Sequence, residues 1–226
     1  ERVTETGVVA LIRGTATGPD HATALRADID ALPIQEENEV PYRSTAPGVM
    51  HACGHDVHTA SLLATMAILQ RLQDRFSGTV KCIFQPAEEK IPGGARAMIE
   101  AGVLTNPRPR HIIGQHVMPE LEAGKAGFYP GRYMASSDEL YITVHGKGGH
   151  GAMPQRTVDP VYIACQLVGA LQQLVSRQSN PLTPSVLSVG RFIALGATNV
   201  IPDKVELEGT FRTMDETWRL EAHRRI

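Results

Sequence analysis

Short apolar runs alternate with amphipathic stretches through about the first 130 residues, and this alternation restricts the chain to an α/β layer structure. The strand-like runs are Val8 to Arg13, Thr23 to Ala27, Thr79 to Gln85 and His111 to Val117. Between them, His58 to Leu72 places Leu62, Leu63, Ala67, Ile68 and Leu72 close to the 3.6-residue period of a helix. A shorter helix, Gly94 to Ala101, is ended by Gly102. After the turn at Tyr129-Pro130-Gly131 the pattern changes to strand Glu139 to His145, helix Asp159 to Arg177, strands Val186 to Ile193 and Val205 to Arg212, and a helix from Asp215. That order, β-α-β-β-α, is a split βαβ layer lacking its final strand. Asp159-Pro160 opens its first helix well, because Asp caps and Pro is tolerated in the first turn. Two domains are expected, residues 1–133 and 134–226, joined by hinges near Met134 and beyond Ile226. The chain opens without Met and stops inside a helical pattern, so the first domain is expected to be incomplete at both ends and the second at its C-terminus.

Composition narrows the functional classes. Hydrophobic residues make up 42% and charged residues 20%, enough for a sizeable core. Lys plus Arg number 22 against 24 for Asp plus Glu, a formal net charge of -2, and no basic stripe follows a phosphate backbone, so no nucleic-acid partner is expected. No apolar run approaches the roughly 20 residues that span a bilayer, and no signal sequence opens the chain, so no membrane partner is expected either. Cys53, Cys82 and Cys165 are too few and too scattered for a disulfide framework, which suits the reducing cytoplasm.

The chemistry concentrates in a few places. In His51-Ala52-Cys53-Gly54-His55-Asp56-Val57-His58, thiolate and imidazole donors suited to zinc or another first-row metal crowd into a loop that enters a helix. Cys53 and His55 would diverge on a regular helix, but Gly54 can let a loop converge them on one ion. The same histidines could instead merely cap the helix or pack under it. Gln85-Pro86-Ala87-Glu88-Glu89 follows an apolar strand, and adjacent residues of extended backbone point to opposite sides. One carboxylate could then hold a metal while the other takes a proton from water, although a solvated acidic turn is the plain alternative. His116 closes its strand and could reach the same edge as Glu89. Asp28 and Asp30 also follow a strand, as orienting partners of ligands or as simple turn residues.

Four ordered runs carry a resemblance: Ala24 to Ile34 (Ala-Leu-Arg-Ala-Asp-Ile-Asp-Ala-Leu-Pro-Ile), Met50 to Asp56, Phe84 to Glu89, and Gly146-Lys147-Gly148-Gly149-His150-Gly151-Ala152-Met153-Pro154. Together they resemble the metallo-aminoacylase and carboxypeptidase family, in the branch of hippurate hydrolases, N-acyl-amino-acid amidohydrolases and auxin-conjugate hydrolases. The resemblance implies an α/β catalytic domain with a binuclear metal site, and an inserted α+β lid through which the subunit forms a homodimer. Two divalent ions are implied, zinc or manganese first, with cobalt and nickel also accommodated by Cys and His donors. Their ligands would be Cys53, His55, Glu89 and His116, with Glu88 as general base and later general acid. His150 would donate to the developing oxyanion across the dimer, and Asn199 and Arg212 would contact the carboxylate of a small N-acyl amino acid. A guanidinium fork suits that last task. The family draws one more ligating His from a segment that follows the last residue of this chain. Two rivals remain: a thiol hydrolase with Cys53 as nucleophile, and a non-catalytic binding protein of the same fold.

Overall fold

The run Val80 to Phe84, apolar except for Lys81, lies in an inner strand of the first unit's sheet. The computed structural model describes residues 1–226 and divides the chain into two units, Glu1–Lys125 and Ala126–Ile226, so that residues 126–133 group with the second. In the first unit, β1 (Val8–Arg13), β2 (Ala22–Asp28), β3 (Thr79–Gln85) and β4 (Pro109–Gly114) form one sheet in the order β1-β3-β2-β4. β1 runs antiparallel to β3, whereas β2 is parallel to both β3 and β4. Helix α1 (His55–Arg71) packs on one face, where Leu62 joins Ile12, Ala27, Cys82 and Phe84. Helix α2 (Gly94–Glu100) covers the other, where Met98 joins Val9, Ala24 and Ile83. Burying a side chain such as Phe84 contributes about 1.5–3 kcal/mol, so both helices are held by the sheet rather than by propensity.

Two differences from the sequence reading bear on the site. Helix α1 begins at His55, three residues before the apolar pattern does, and its buried residues are His55, His58 and Leu62. Leu63, Ile68 and Leu72, which completed the expected apolar stripe, are exposed, because the helix turns its polar His-bearing edge toward the sheet. Strand β4 stops at Gly114, which leaves His116 in the following loop rather than at the strand end.

In the second unit, β5 (Asp138–His145) and β7 (Ser185–Ile193) flank β9 (Lys204–Thr213), both antiparallel to it. Two further strands of two residues each, β6 (Gly149–His150) and β8 (Val200–Ile201), form a small ribbon. Helix α3 (Pro160–Gln173) is capped by Asp159, whose side chain accepts from the Val161 and Tyr162 amides. It runs on into a π-helical turn over Leu174–Gln178 and closes over Val205 and Leu207. Helix α4 (Glu216–Arg225) packs Ala222 against Leu171, Leu187 and Phe211. The pairing of β5 and β7 around β9 is the split βαβ arrangement that the strand and helix order implies.

Asp138 fastens α4 to the sheet. Its carboxylate accepts from Arg219 Nε at 2.8 Å and lies 3.2 Å from His223 Nε2. The Arg219 hydrogen bonds outweigh the effect of burial and, with the charges of Arg219 and His223, hold the Asp138 carboxyl below its ordinary value. A folded-state pKa below the unfolded one stabilises the fold above the unfolded value, near 4, and that stabilisation is lost as pH falls through the folded pKa. Asp138→Asn is therefore expected to lower stability at pH 7 while flattening the dependence below about pH 4, measured by urea unfolding across pH. An unchanged acid limb would remove Asp138 from that role.

Candidate metal centre

Because β2, β3 and β4 are parallel, their carboxyl ends share one edge of the sheet, the usual place for a site in an open α/β layer. The loops that leave this edge supply Asp28 and Asp30 after β2, Glu88 and Glu89 after β3, and His116 after β4. The first turn of α1 adds His55. Its N-cap, Gly54, has φ 83°, and a Cβ there would lie 2.3 Å from Val117 Cγ2, so a glycine is needed for the loop to approach the His116 segment. That turn brings Cys53 and His55 together despite their spacing.

Two donor groups result. Cys53, His55 and His116 have ligand atoms all within 4.8 Å of one another, and so do His55, Glu88 and Glu89. His55 belongs to both. Cys53 Sγ lies 3.5 Å from His116 Nε2, and His55 Nε2 lies 3.9 Å from Glu89 Oε1. The two glutamates are not divided by a strand as their sequence suggested. The chain leaves β3 before Pro86, Ala87 takes φ 49°, and Glu88 and Glu89 follow in a bend with both carboxylates beside His55.

Hydrogen bonds fix the imidazoles. His55 Nδ1 lies 3.0 Å from the Asp30 carbonyl oxygen, so this nitrogen carries the proton and Nε2 presents a bare lone pair. The ring is 1% exposed and Nε2 has no partner. His116 Nδ1 likewise lies 2.7 Å from the Val117 carbonyl oxygen, leaving Nε2 free toward Cys53. A buried unpaired nitrogen costs about 1–3 kcal/mol, and here it faces a thiol, an imidazole and two carboxylates. That donor set fits a first-row divalent metal.

The carboxylates behind the ligands are also ordered. Asp28, 1% exposed, bonds His58 Nδ1 through Oδ1 at 2.6 Å and Arg26 through Oδ2 at 2.7 Å. Burial raises its pKa, but the His58 hydrogen bond and the Arg26 charge more than offset this and hold it below the ordinary value. Asp30 is held low in the same way, against burial, by the Glu89 and Glu88 backbone amides. Burial and the neighbouring Glu89, Glu88 and Asp28 push the Cys53 thiol up to about 11. An activated nucleophilic thiol needs the opposite shift, which weighs against the thiol-hydrolase rival. His58 had no role of its own in the sequence reading. Its spacing from His55, three residues on one helix, was the available signal that both face the same way.

His150, Asn199 and Arg212 lie in the second unit. The β6–β8 ribbon sets His150 opposite Val200, and the Gly151 amide donates to the Asn199 carbonyl at 2.7 Å, so His150 and Asn199 share one tight junction. Its glycines are required by close approach, since a Cβ on Gly148 would meet the Ile201 carbonyl at 2.5 Å. His150 Nδ1 accepts the Ala152 amide at 3.1 Å, which leaves Nε2 as the protonated, donating nitrogen. Arg212 stands apart from them on β9. It is exposed, makes no ion pair, and lines a shallow recess of about 440 Å³ with Ser137, Glu139, Tyr141 and Arg191.

Residues 24–221 match the model of peptidase family M20/M25/M40. The chain is 50% identical over 218 residues to an N-acyl-L-amino acid amidohydrolase of Geobacillus stearothermophilus, covering 96% of this chain and 58% of that protein. It is 44% identical over 224 residues to an IAA-amino acid hydrolase of Arabidopsis thaliana, covering 99% of this chain and 50% of that one. The crystal structure of a dinuclear metal-binding M20 peptidase from Bacillus subtilis superposes with a TM-score of 0.74 at 42% identity, covering 97% of this chain and 54% of that one. The chain thus spans about half the length of the curated relatives it matches. With four ordered motifs, a metal-competent donor cluster at the shared carboxyl edge of three parallel strands and a family match across both units, this chain belongs to peptidase family M20/M25/M40.

Proposed function

We propose that the chain supplies metal-binding, proton-transfer and substrate-contacting residues to an amidohydrolase that cleaves N-acyl amino acids or related small amide conjugates. The observation that carries this reading is the buried, unpartnered Nε2 of His55, which lies with donor atoms of Cys53, His116, Glu88 and Glu89 around it. Cys53, His55, His116 and Glu89 would supply donors to the divalent ions, the single Nε2 lone pair of His55 serving one of them, with Glu88 beside them as the base. When bound, such ions would supply Lewis acidity to the scissile carbonyl and to the attacking water. The activity is supported by the relatives' names, amidohydrolase and hydrolase of amino-acid conjugates.

In the proposed reaction Glu88 takes a proton from the attacking water as its oxygen bonds to the amide carbon. The C–N bond then breaks, and Glu88 passes that proton to the leaving amine nitrogen. His150 donates from Nε2 to the oxygen that gains charge, while Asn199 and Arg212 contact the substrate carboxylate. The free guanidinium of Arg212 supports its assignment. A cavity of about 550 Å³ lined by Ile29, Leu32, Pro33, Pro86 and Ala87 adjoins Glu89 and suits an apolar acyl group. Homodimerisation through the second unit completes the proposal, and native mass measurement tests it. No helix is long and apolar enough to cross a membrane.

Metal analysis combined with hydrolysis of a panel of N-acetyl and N-benzoyl amino acids by the full-length protein tests the reading, and metal-free turnover at the rate of the loaded enzyme would overturn it. Glu88→Gln is expected to retain metal and lose nearly all turnover, whereas Glu89→Gln loses metal as well. Equal metal contents would sink the division between them.

His150→Ala is expected to lower kcat by about 10²–10³-fold with little change in KM, as for the loss of an oxyanion donor elsewhere. A rise in KM alone would assign it to ground-state binding.

Saturating Zn²⁺ at about 100 times its Kd should stabilise the wild-type protein by about 2.7 kcal/mol, read as a rise in thermal midpoint. His55→Ala and Cys53→Ser are each expected to reduce that rise, because each removes one donor of the Cys53, His55 and His116 group.

A further inference from the structure

His58 is 1% exposed and both ring nitrogens are committed. Nδ1 donates to Asp28 Oδ1 at 2.6 Å, and Nε2 accepts the Val117 amide proton at 2.9 Å. The carbonyl of that same residue, Val117, accepts from His116 Nδ1 at 2.7 Å. The rings of His58 and His116 also meet edge to face, 4.7 Å between centroids. A continuous chain of hydrogen bonds therefore runs from Asp28 through His58 and Val117 to His116, whose Nε2 points at Cys53.

Asp28, His55 and His58 are close enough together to be considered as a third metal-binding group. Their bonds argue otherwise. His58 offers no free lone pair, and the two oxygens of Asp28 are taken by His58 and Arg26. We propose that His58 is a positioning residue that, clamped by Asp28, holds the Val117 backbone and thereby sets the His116 imidazole against Cys53 and His55. The inference rests on the metal-site reading above and adds to it how one ligand is aimed. A histidine ligand ordinarily owes its orientation to a partner on its other nitrogen. Here that partner is a backbone carbonyl, which must itself be held, and Val117 lies beyond the end of β4 with no ladder bond to hold it.

The test is Co²⁺ binding to the full-length protein, by competition with a chelating dye and by the thiolate-to-cobalt charge-transfer band that reports the Cys53 bond. His58→Phe keeps the ring packing and removes both hydrogen bonds. It is expected to weaken Co²⁺ binding by about 10–100-fold and to alter the band. His58→Gln keeps an acceptor near the position of Nε2, so it should restore affinity to within about threefold of wild type. A folded Phe variant with wild-type affinity and spectrum overturns the proposal, as does a folded Gln variant that binds as weakly as Phe. Should the Phe variant fail to fold with Asp28 Oδ1 left without its donor, the Gln variant decides by the same criterion. If Cys53→Ser loses Co²⁺ while both His58 variants keep it, the relay falls and the metal site stands. A wild-type protein that takes up no Co²⁺ overturns both.

Discussion

The burial of the Asp28 carboxylate governs the edge of the first sheet. A charge with 1% exposure persists only if hydrogen bonds and opposite charges replace its water. Arg26 and His58 do so, and Arg26 in turn bonds Gln85 at the end of β3, which ties two parallel strands together at their carboxyl ends. Because Asp28 claims the proton on His58 Nδ1, His58 Nε2 must be an acceptor, and the Val117 amide fills it. One buried carboxylate thus dictates a tautomer, a loop position and the approach of His116. The protein places full satisfaction at Asp28 and His58 and withholds it from His55 Nε2 and Asp30 Oδ1, which are left bare.

The second unit solves a related problem without buried charge. His150 lies in a glycine-rich run that the 199–203 segment packs against so closely that side chains are excluded. The Gly146 amide bonds the Asp203 carbonyl and the Gly148 amide bonds the Asp203 carboxylate, each at 2.8 Å. Backbone proximity supplies the rigidity there, and the Ala152 amide sets the imidazole tautomer. In both units a histidine is oriented by a backbone amide, and a glycine permits the approach.

Much of this was legible in the sequence where one physical requirement dominated. Thr79 to Gln85 reads as a strand because nearly every residue is buried, and Asp159-Pro160 reads as a helix start because capping is local. Ordered motifs single out Cys53, His55, Glu88, Glu89 and His116, and the structure brings these residues together. Their arrangement was not legible. The extended-strand rule failed for Glu88 and Glu89 because a positive φ at Ala87 turns the chain before them. The start of α1 was set three residues late because His55 and His58 were read as polar, although they face the sheet and are buried through partners that are remote in sequence. The β6–β8 ribbon has only two residues per strand, too few for a periodic signal. Division of the chain before Ala126 rather than at Met134 depends on packing, which no local composition change marks.

The candidate donors are prepared unequally. His55 and His116 each direct Nδ1 to a backbone carbonyl, which turns Nε2 toward the other donors. Cys53 differs, because its thiol, pushed up to about 11 by burial and by Glu89, Glu88 and Asp28, holds its proton at neutral pH. A divalent cation reverses that balance, since the same carboxylates that disfavour the thiolate in isolation attract the ion that stabilises it. The acidic surroundings that make Cys53 a poor nucleophile are therefore what make the cluster a good cation site, and the site's chemistry follows from the sign of the charge that enters it.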